Sequence, residues 1–114
     1  MKETIKFLVQ GSQPHPYELS FEFNKGILTA YCSCPAGING MYCKHRLQIF
    51  LGNSDGIVSA NSSEVSMVGD WLKHSSLNGF FSDLLEAERV LEIAKNELTL
   101  KKKQFSKALL GRML

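Results

Sequence analysis

Three runs of alternating apolar and polar residues occupy the first third of the chain. In residues 4–10, Ile5, Phe7 and Val9 stand against Lys6, Leu8 and Gln10, the two-residue period of a strand. Gly11 to Pro16 holds two prolines and a glycine, which break a ladder, so a loop follows. In residues 17–23, Tyr17, Leu19, Phe21 and Phe23 share one face, and Glu18, Ser20 and Glu22 the other. Asn24-Lys25-Gly26 reads as a hairpin turn, because glycine reaches positive φ without steric cost. Residues 27–32 return with Leu28, Ala30 and Cys32 in one row. The expectation is a three-stranded antiparallel sheet that delivers Cys32 at its end.

Beyond residue 34 the period changes from two to between three and four. Pro35 to Gly40 is rich in breakers and reads as a loop. Leu47, Phe50 and Leu51 then predict a short helix, with Gly52 as its stop. Residues 53–61 are a polar connector. Asn61 with Glu64 three residues later resembles a capping box, and Val65, Val68, Trp71 and Leu72 predict a second helix, weakened by Gly69 and interrupted at Asn78-Gly79. From about Phe80 to Met113 there is no proline, and Leu84, Ala87, Leu91, Ala94 and Leu98 recur at alternating three- and four-residue steps. Lys101 interrupts that row before Phe105 and Ala108 resume it; Val90, Ile93 and Leu100 lie beside it. A long amphipathic helix with a broad apolar face is expected. The fold class is therefore α+β: a small antiparallel sheet, a short helix anchored beside it, and a helical C-terminal half. The divisions expected are 4–52, a connector with a short helix at 53–78, and the long helix at 79–114.

Composition adds limits. At 114 residues, one compact domain with an appended helix is expected, and so small a core gains from an extra staple. A formal net charge of +2 is too weak to announce a nucleic-acid partner by itself. No apolar run is long enough to span a bilayer, and the first residues lack the apolar core of a signal peptide, so no membrane association and a cytoplasmic location are expected. Three cysteines are an odd number and cannot all pair within one chain.

Those cysteines carry the candidate chemistry. Cys32-Ser33-Cys34 is followed by eight residues and then by Cys43-Lys44-His45. Residues two apart on an extended strand point to one side, so Cys32 and Cys34 can aim both thiolates at a single point. The intervening loop, with Gly37 and Gly40, lets the chain fold back to present Cys43 and His45. Four ligands of the Cys₃His set are a common tetrahedral shell for structural zinc. The competing readings explain less. Buried inert cysteines do not require the two-and-two pairing, a strained Cys32–Cys34 disulfide leaves His45 unexplained, and a Cys–His catalytic pair lacks an acid–base partner. One structural Zn²⁺ and no enzymatic activity are expected, since four protein ligands leave no position for activated water.

Cys-x-Cys, a loop, and Cys-x-His, set behind the tyrosine-led strand Tyr17–Phe23, with Cys34-Pro35, Gly40 and an apolar helix after His45, resemble the SWIM zinc finger. The resemblance covers about residues 5–52 and is densest from 32 to 52. It implies zinc ligation by Cys32, Cys34, Cys43 and His45, a ββα zinc fold, and a role in binding DNA or protein, without catalysis. SWIM segments occur beside remodelling ATPases, transposases and ubiquitin-ligase proteins, whose enzymatic domains cannot fit in this chain. The resemblance says nothing of residues 60–114.

Two surfaces are candidates for recognition. Lys25, Lys44 and Arg46 could meet phosphates of DNA or RNA, or could balance the excess negative charge of three thiolates on one Zn²⁺. In the long helix, Lys95, Lys101, Lys102, Lys103, Lys107 and Arg112 face only Glu97, whereas Asp83, Glu86, Glu88 and Glu92 precede them with only Arg89. Lys101, Lys102 and Lys103 form a candidate phosphate-binding arm, although acidic residues early and basic residues late also complement a helix dipole. The apolar face of residues 80–113 can pack within the chain, engage a protein partner, or self-associate. The leading reading is a DNA-binding accessory protein; the other is a protein–protein adaptor or oligomerisation module acting through the C-terminal helix. His15 reads as an exposed loop residue, His74 as a helix-end residue, and Trp71 as core.

Overall fold

A computed structural model describes residues 2–111. Three strands, β1 (Glu3–Val9), β2 (Tyr17–Asn24) and β3 (Ile27–Cys32), form an antiparallel sheet in the order β1-β2-β3. The alternation seen in the sequence fixes the register: Phe7 pairs with Leu19, and Leu19 with Cys32. A slip of one residue would turn Phe7, Leu19 and Phe21 out of the core. Among the described residues four helices follow, α1 (Pro35–Ile38), α2 (Lys44–Phe50), α3 (Val65–Lys73) and α4 (Leu77–Leu109), with a 3₁₀ turn at Ser62–Glu64. The α+β class expected from the periodicities is the class observed.

The core lies on one face of the sheet. Ile5, Phe7, Val9, Leu19, Phe21 and Leu28 are buried there with Leu47 and Ile49 of α2 and Val65, Val68, Trp71 and Leu72 of α3. Phe21 meets Phe7 and Phe50 edge-on at 5.9 and 5.4 Å, and Trp71 stacks on Phe23 at 5.7 Å. Trp71 is thus a core residue, as expected. The other face carries Thr4, Lys6, Leu8, Glu18 and Thr29, all exposed.

Three local expectations are corrected. Pro35 to Gly40 is not all loop, because Cys34 caps a single turn of helix with Pro35 at its first position, where the missing N–H costs nothing. Asn61 makes no capping box with Glu64: its amide donates to the Lys6 carbonyl at 2.7 Å, and its oxygen accepts from Ser59. Asn78-Gly79 does not interrupt a helix but lies in the first turn of α4; α3 stops earlier, at His74, and the Ser75 hydroxyl accepts from the Leu77 N–H as α4 begins. Gly52, at φ 84°, ends α2 as expected. His15 is exposed, and His74 closes α3 with its ring 2.8 Å from the Asp70 carbonyl.

By internal contacts the chain forms two compact units, Met1–Asn78 and Gly79–Leu114. No residue of α4 is buried. Arg112 and Met113, which the sequence reading assigned to the basic arm and the apolar face, lie outside the described residues.

Candidate metal centre

The four ligands come from three pieces of local structure. Cys32 is the last residue of β3, Cys34 the cap of α1, Cys43 the cap of α2, and His45 lies in the first turn of α2. Ser33 pins the bend between the first two, because its N–H donates to the Glu18 carbonyl and its hydroxyl accepts from the Glu18 N–H. β2 therefore holds the end of β3 while the chain turns from Cys32 to Cys34. Gly37 permits that turn, since a Cβ there would collide with the Cys32 carbonyl oxygen.

The ligand atoms converge. Cys34 Sγ and Cys43 Sγ are 3.4 Å apart; His45 Nδ1 lies 3.8 Å from Cys32 Sγ and 3.7 Å from Cys43 Sγ. All four lie within 4.8 Å of one another. A tetrahedron with zinc–sulfur bonds of about 2.3 Å has edges of roughly 3.8 Å, so the cluster fits Zn²⁺ with little adjustment. The three cysteines are buried and His45 is half-buried, so the centre is largely shielded from solvent. No other grouping of this kind occurs among the described residues.

Electrostatics point the same way. Without a cation the Cys32 and Cys43 thiols do not share one charge state: burial pushes Cys32 up to about 12. For Cys43, burial acts upward, but the Arg46 backbone N–H and the neighbouring Cys34, His45 and Cys32 side chains outweigh it and bring the thiol down to about 6. A divalent cation resolves this mismatch, because a coordinating thiol ionises outright. The Cys34 sulfur also accepts from the Gly37 N–H at 3.3 Å, a bond that holds the thiolate orientation.

The expected recognition residues fare differently. Arg46 is committed to the fold: its guanidinium donates to the carbonyls of Ala30 at 3.1 Å and Met41 at 2.8 Å, tying β3 to the loop between the ligand pairs. Lys44 is exposed at the start of α2. Lys25, at φ 52° in the β2–β3 turn, lies at the other end of β3, about 17 Å of strand away from Cys32. The first unit therefore does not gather Lys25, Lys44 and Arg46 into one surface. Lys101, Lys102 and Lys103 are exposed on α4, in the second unit.

Three supporting residues escaped the sequence reading. Arg46 was read as a surface charge, and nothing in its spacing marks it as a clamp. Gly37 was read only as loop flexibility, whereas its role is close approach to Cys32. Tyr17 had a signal, as the first residue of its strand; its ring lies 5.0 Å from the His45 ring and covers it.

A sheet and a short helix that meet at a closed Cys₃His shell define a structural zinc finger. Residues 7–51 match the family described as SWIM zinc finger, a stretch that contains all four ligands. No curated protein and no solved structure matches the chain. The SWIM zinc finger is a zinc-binding module and not a catalytic family, and the Cys32, Cys34, Cys43 and His45 cluster is compatible with one structural Zn²⁺.

Proposed function

We propose that the chain is a non-enzymatic interaction module of a reducing compartment such as the cytoplasm, in which Zn²⁺ at Cys32, Cys34, Cys43 and His45 stabilises the first unit and α4 engages a protein partner. One observation carries this reading. α4 runs for 33 residues without a buried residue, and Phe80, Leu91, Leu98, Phe105 and Leu109, which share one side of it, are each more than half exposed. A helix gains most of its stability by burying an apolar face, and exposed stripes of this extent mark protein contacts. No helix among the described residues is long and apolar enough to cross a membrane.

Nucleic-acid binding, the leading reading from sequence, loses support where Arg46 is consumed by the fold and Lys25 stands apart from Lys44. It retains the run Lys101-Lys102-Lys103, exposed on α4. Salt-titrated binding to nonspecific duplex DNA and single-stranded RNA decides between the two. The interaction reading expects no retention at about 50 mM salt. Retention that weakens with a log–log salt slope, and that is abolished by K101Q/K102Q/K103Q, would replace it with the nucleic-acid reading.

A further inference from the structure

We infer that the partner of α4 is α4 of a second copy of this chain, running antiparallel to it. This rests on the interaction reading above and specifies its partner.

Side-chain size along the seam sets the direction. Large residues, Leu84, Leu91, Leu98 and Phe105, occupy one heptad position; Ala87, Ala94 and Ala108, with Lys101, occupy the other. In a parallel pair each layer sets a position against itself. Leucine would meet leucine and alanine would meet alanine, leaving voids in every second layer. In an antiparallel pair the two positions face each other, so each alanine meets a large residue. One register achieves this in six of the eight layers, and the other two set Leu91 against Lys101. Leu84 faces the partner's Ala108, Ala87 the partner's Phe105, Leu91 the partner's Lys101, and Ala94 the partner's Leu98. The overlap spans about 37 Å of helix at 1.5 Å per residue.

Charge selects the same direction. Asp83, Glu86, Glu88 and Glu92 leave the first half of α4 acidic, with only Arg89 opposing. Lys95, Lys101, Lys102, Lys103 and Lys107 leave the second half basic, with only Glu97 opposing. Antiparallel pairing lays acidic on basic twice over, and sets Glu88 beside the partner's Lys102 at both ends. Parallel pairing lays like on like and confronts two Lys101 ammonium groups in one layer. In the antiparallel register Lys101 lays its stem along Leu91 and turns its ammonium outward, where Glu97 already lies 3.7 Å from it within the same helix. Near the dyad, Lys95 and Glu97 each approach their own copies on opposite edges. Those pairs are solvent-exposed and weak beside the attraction of the two halves.

The test uses the full zinc-loaded chain. Light scattering should give twice the 12.7 kDa chain mass at micromolar concentration, and Leu98→Asp should halve that mass while zinc content stays unchanged. A water-soluble carbodiimide, which joins a lysine to a carboxylate with no spacer, should then link Glu88 to Lys102 in the wild-type dimer. Within one helix these residues are about 21 Å apart, so that link can form only between antiparallel copies. A strict monomer up to about 100 μM overturns the proposal. A dimer without the Glu88–Lys102 link, or one that survives Leu98→Asp, overturns it as well. Each of these results differs from duplex binding lost in K101Q/K102Q/K103Q, the outcome that would remove the interaction reading itself.

Discussion

In β1 and β2 alternate side chains enter a core, and Phe7, Leu19 and Phe21 are essentially inaccessible; in α4, a helix longer than the whole sheet, no side chain is buried. The sheet unit carries its apolar surface inward and closes the open end of β3 with a metal. α4 carries its apolar surface outward. The first region can hold its shape with one ion and no partner, whereas the second gains most from a partner. The same contrast separates the candidate metal centre from the surface proposed for recognition.

The largest break in this contrast is metal removal. Apparent zinc-binding free energies of about 10–16 kcal/mol in zinc-finger peptides exceed the stability expected of so small a core. Chelation, or Cys34→Ser, should unfold the sheet unit, seen as a red shift of the single tryptophan, Trp71, which lies in that unit's core. The far-UV helical signal of α4 should largely persist. Simultaneous loss of both signals would show that the regions do not stand independently.

Phe21→Ala should come next. Phe21 is fully buried between Phe7 and Phe50, and such truncations cost about 3–5 kcal/mol. A lowered urea midpoint by Trp71 fluorescence checks it; an unchanged midpoint would mean that the core is not where the burial places it.

Arg46 and Lys44 sharpen the contrast within one turn of helix. Arg46→Met removes two donors from the Ala30 and Met41 carbonyls and should cost about 1–3 kcal/mol in the zinc-loaded protein. Lys44→Gln, at an exposed side chain, should fall within about 0.5 kcal/mol of wild type. Equal effects of the two substitutions would remove the clamp assigned to Arg46. The smallest effect belongs to α4: Arg89→Gln breaks the exposed pair with Glu86, and no change in the thermal midpoint is expected.

Much of this was legible in the sequence because it rests on local periodicity. Strict alternation places β1, β2 and β3, and the two paired ligand motifs place the metal cluster. The errors arose where one group had a choice of partners. Asn61 could cap Ser62–Glu64 or reach the Lys6 carbonyl, 55 residues away along the chain, and it takes the distant partner. Asn78-Gly79 carries turn propensity, but Ser75 caps the helix upstream and α4 runs through the pair. Pro35 was read as a breaker when its position directly after a capping residue suits the first turn of a helix. Arg46 looked like a surface cation because nothing local reveals that the Ala30 carbonyl, on another element, comes within reach.

The claim on which the rest depends is that Cys32, Cys34, Cys43 and His45 hold one structural zinc ion. Native mass spectrometry of the purified chain tests it most directly, with Cys34→Ser in parallel. The expected result is one zinc per chain in the wild type, none in the variant, and loss of the Trp71 core signal when the ion is chelated. A wild-type chain that carries no zinc after metal-replete purification, and whose fold is indifferent to chelators, would contradict it.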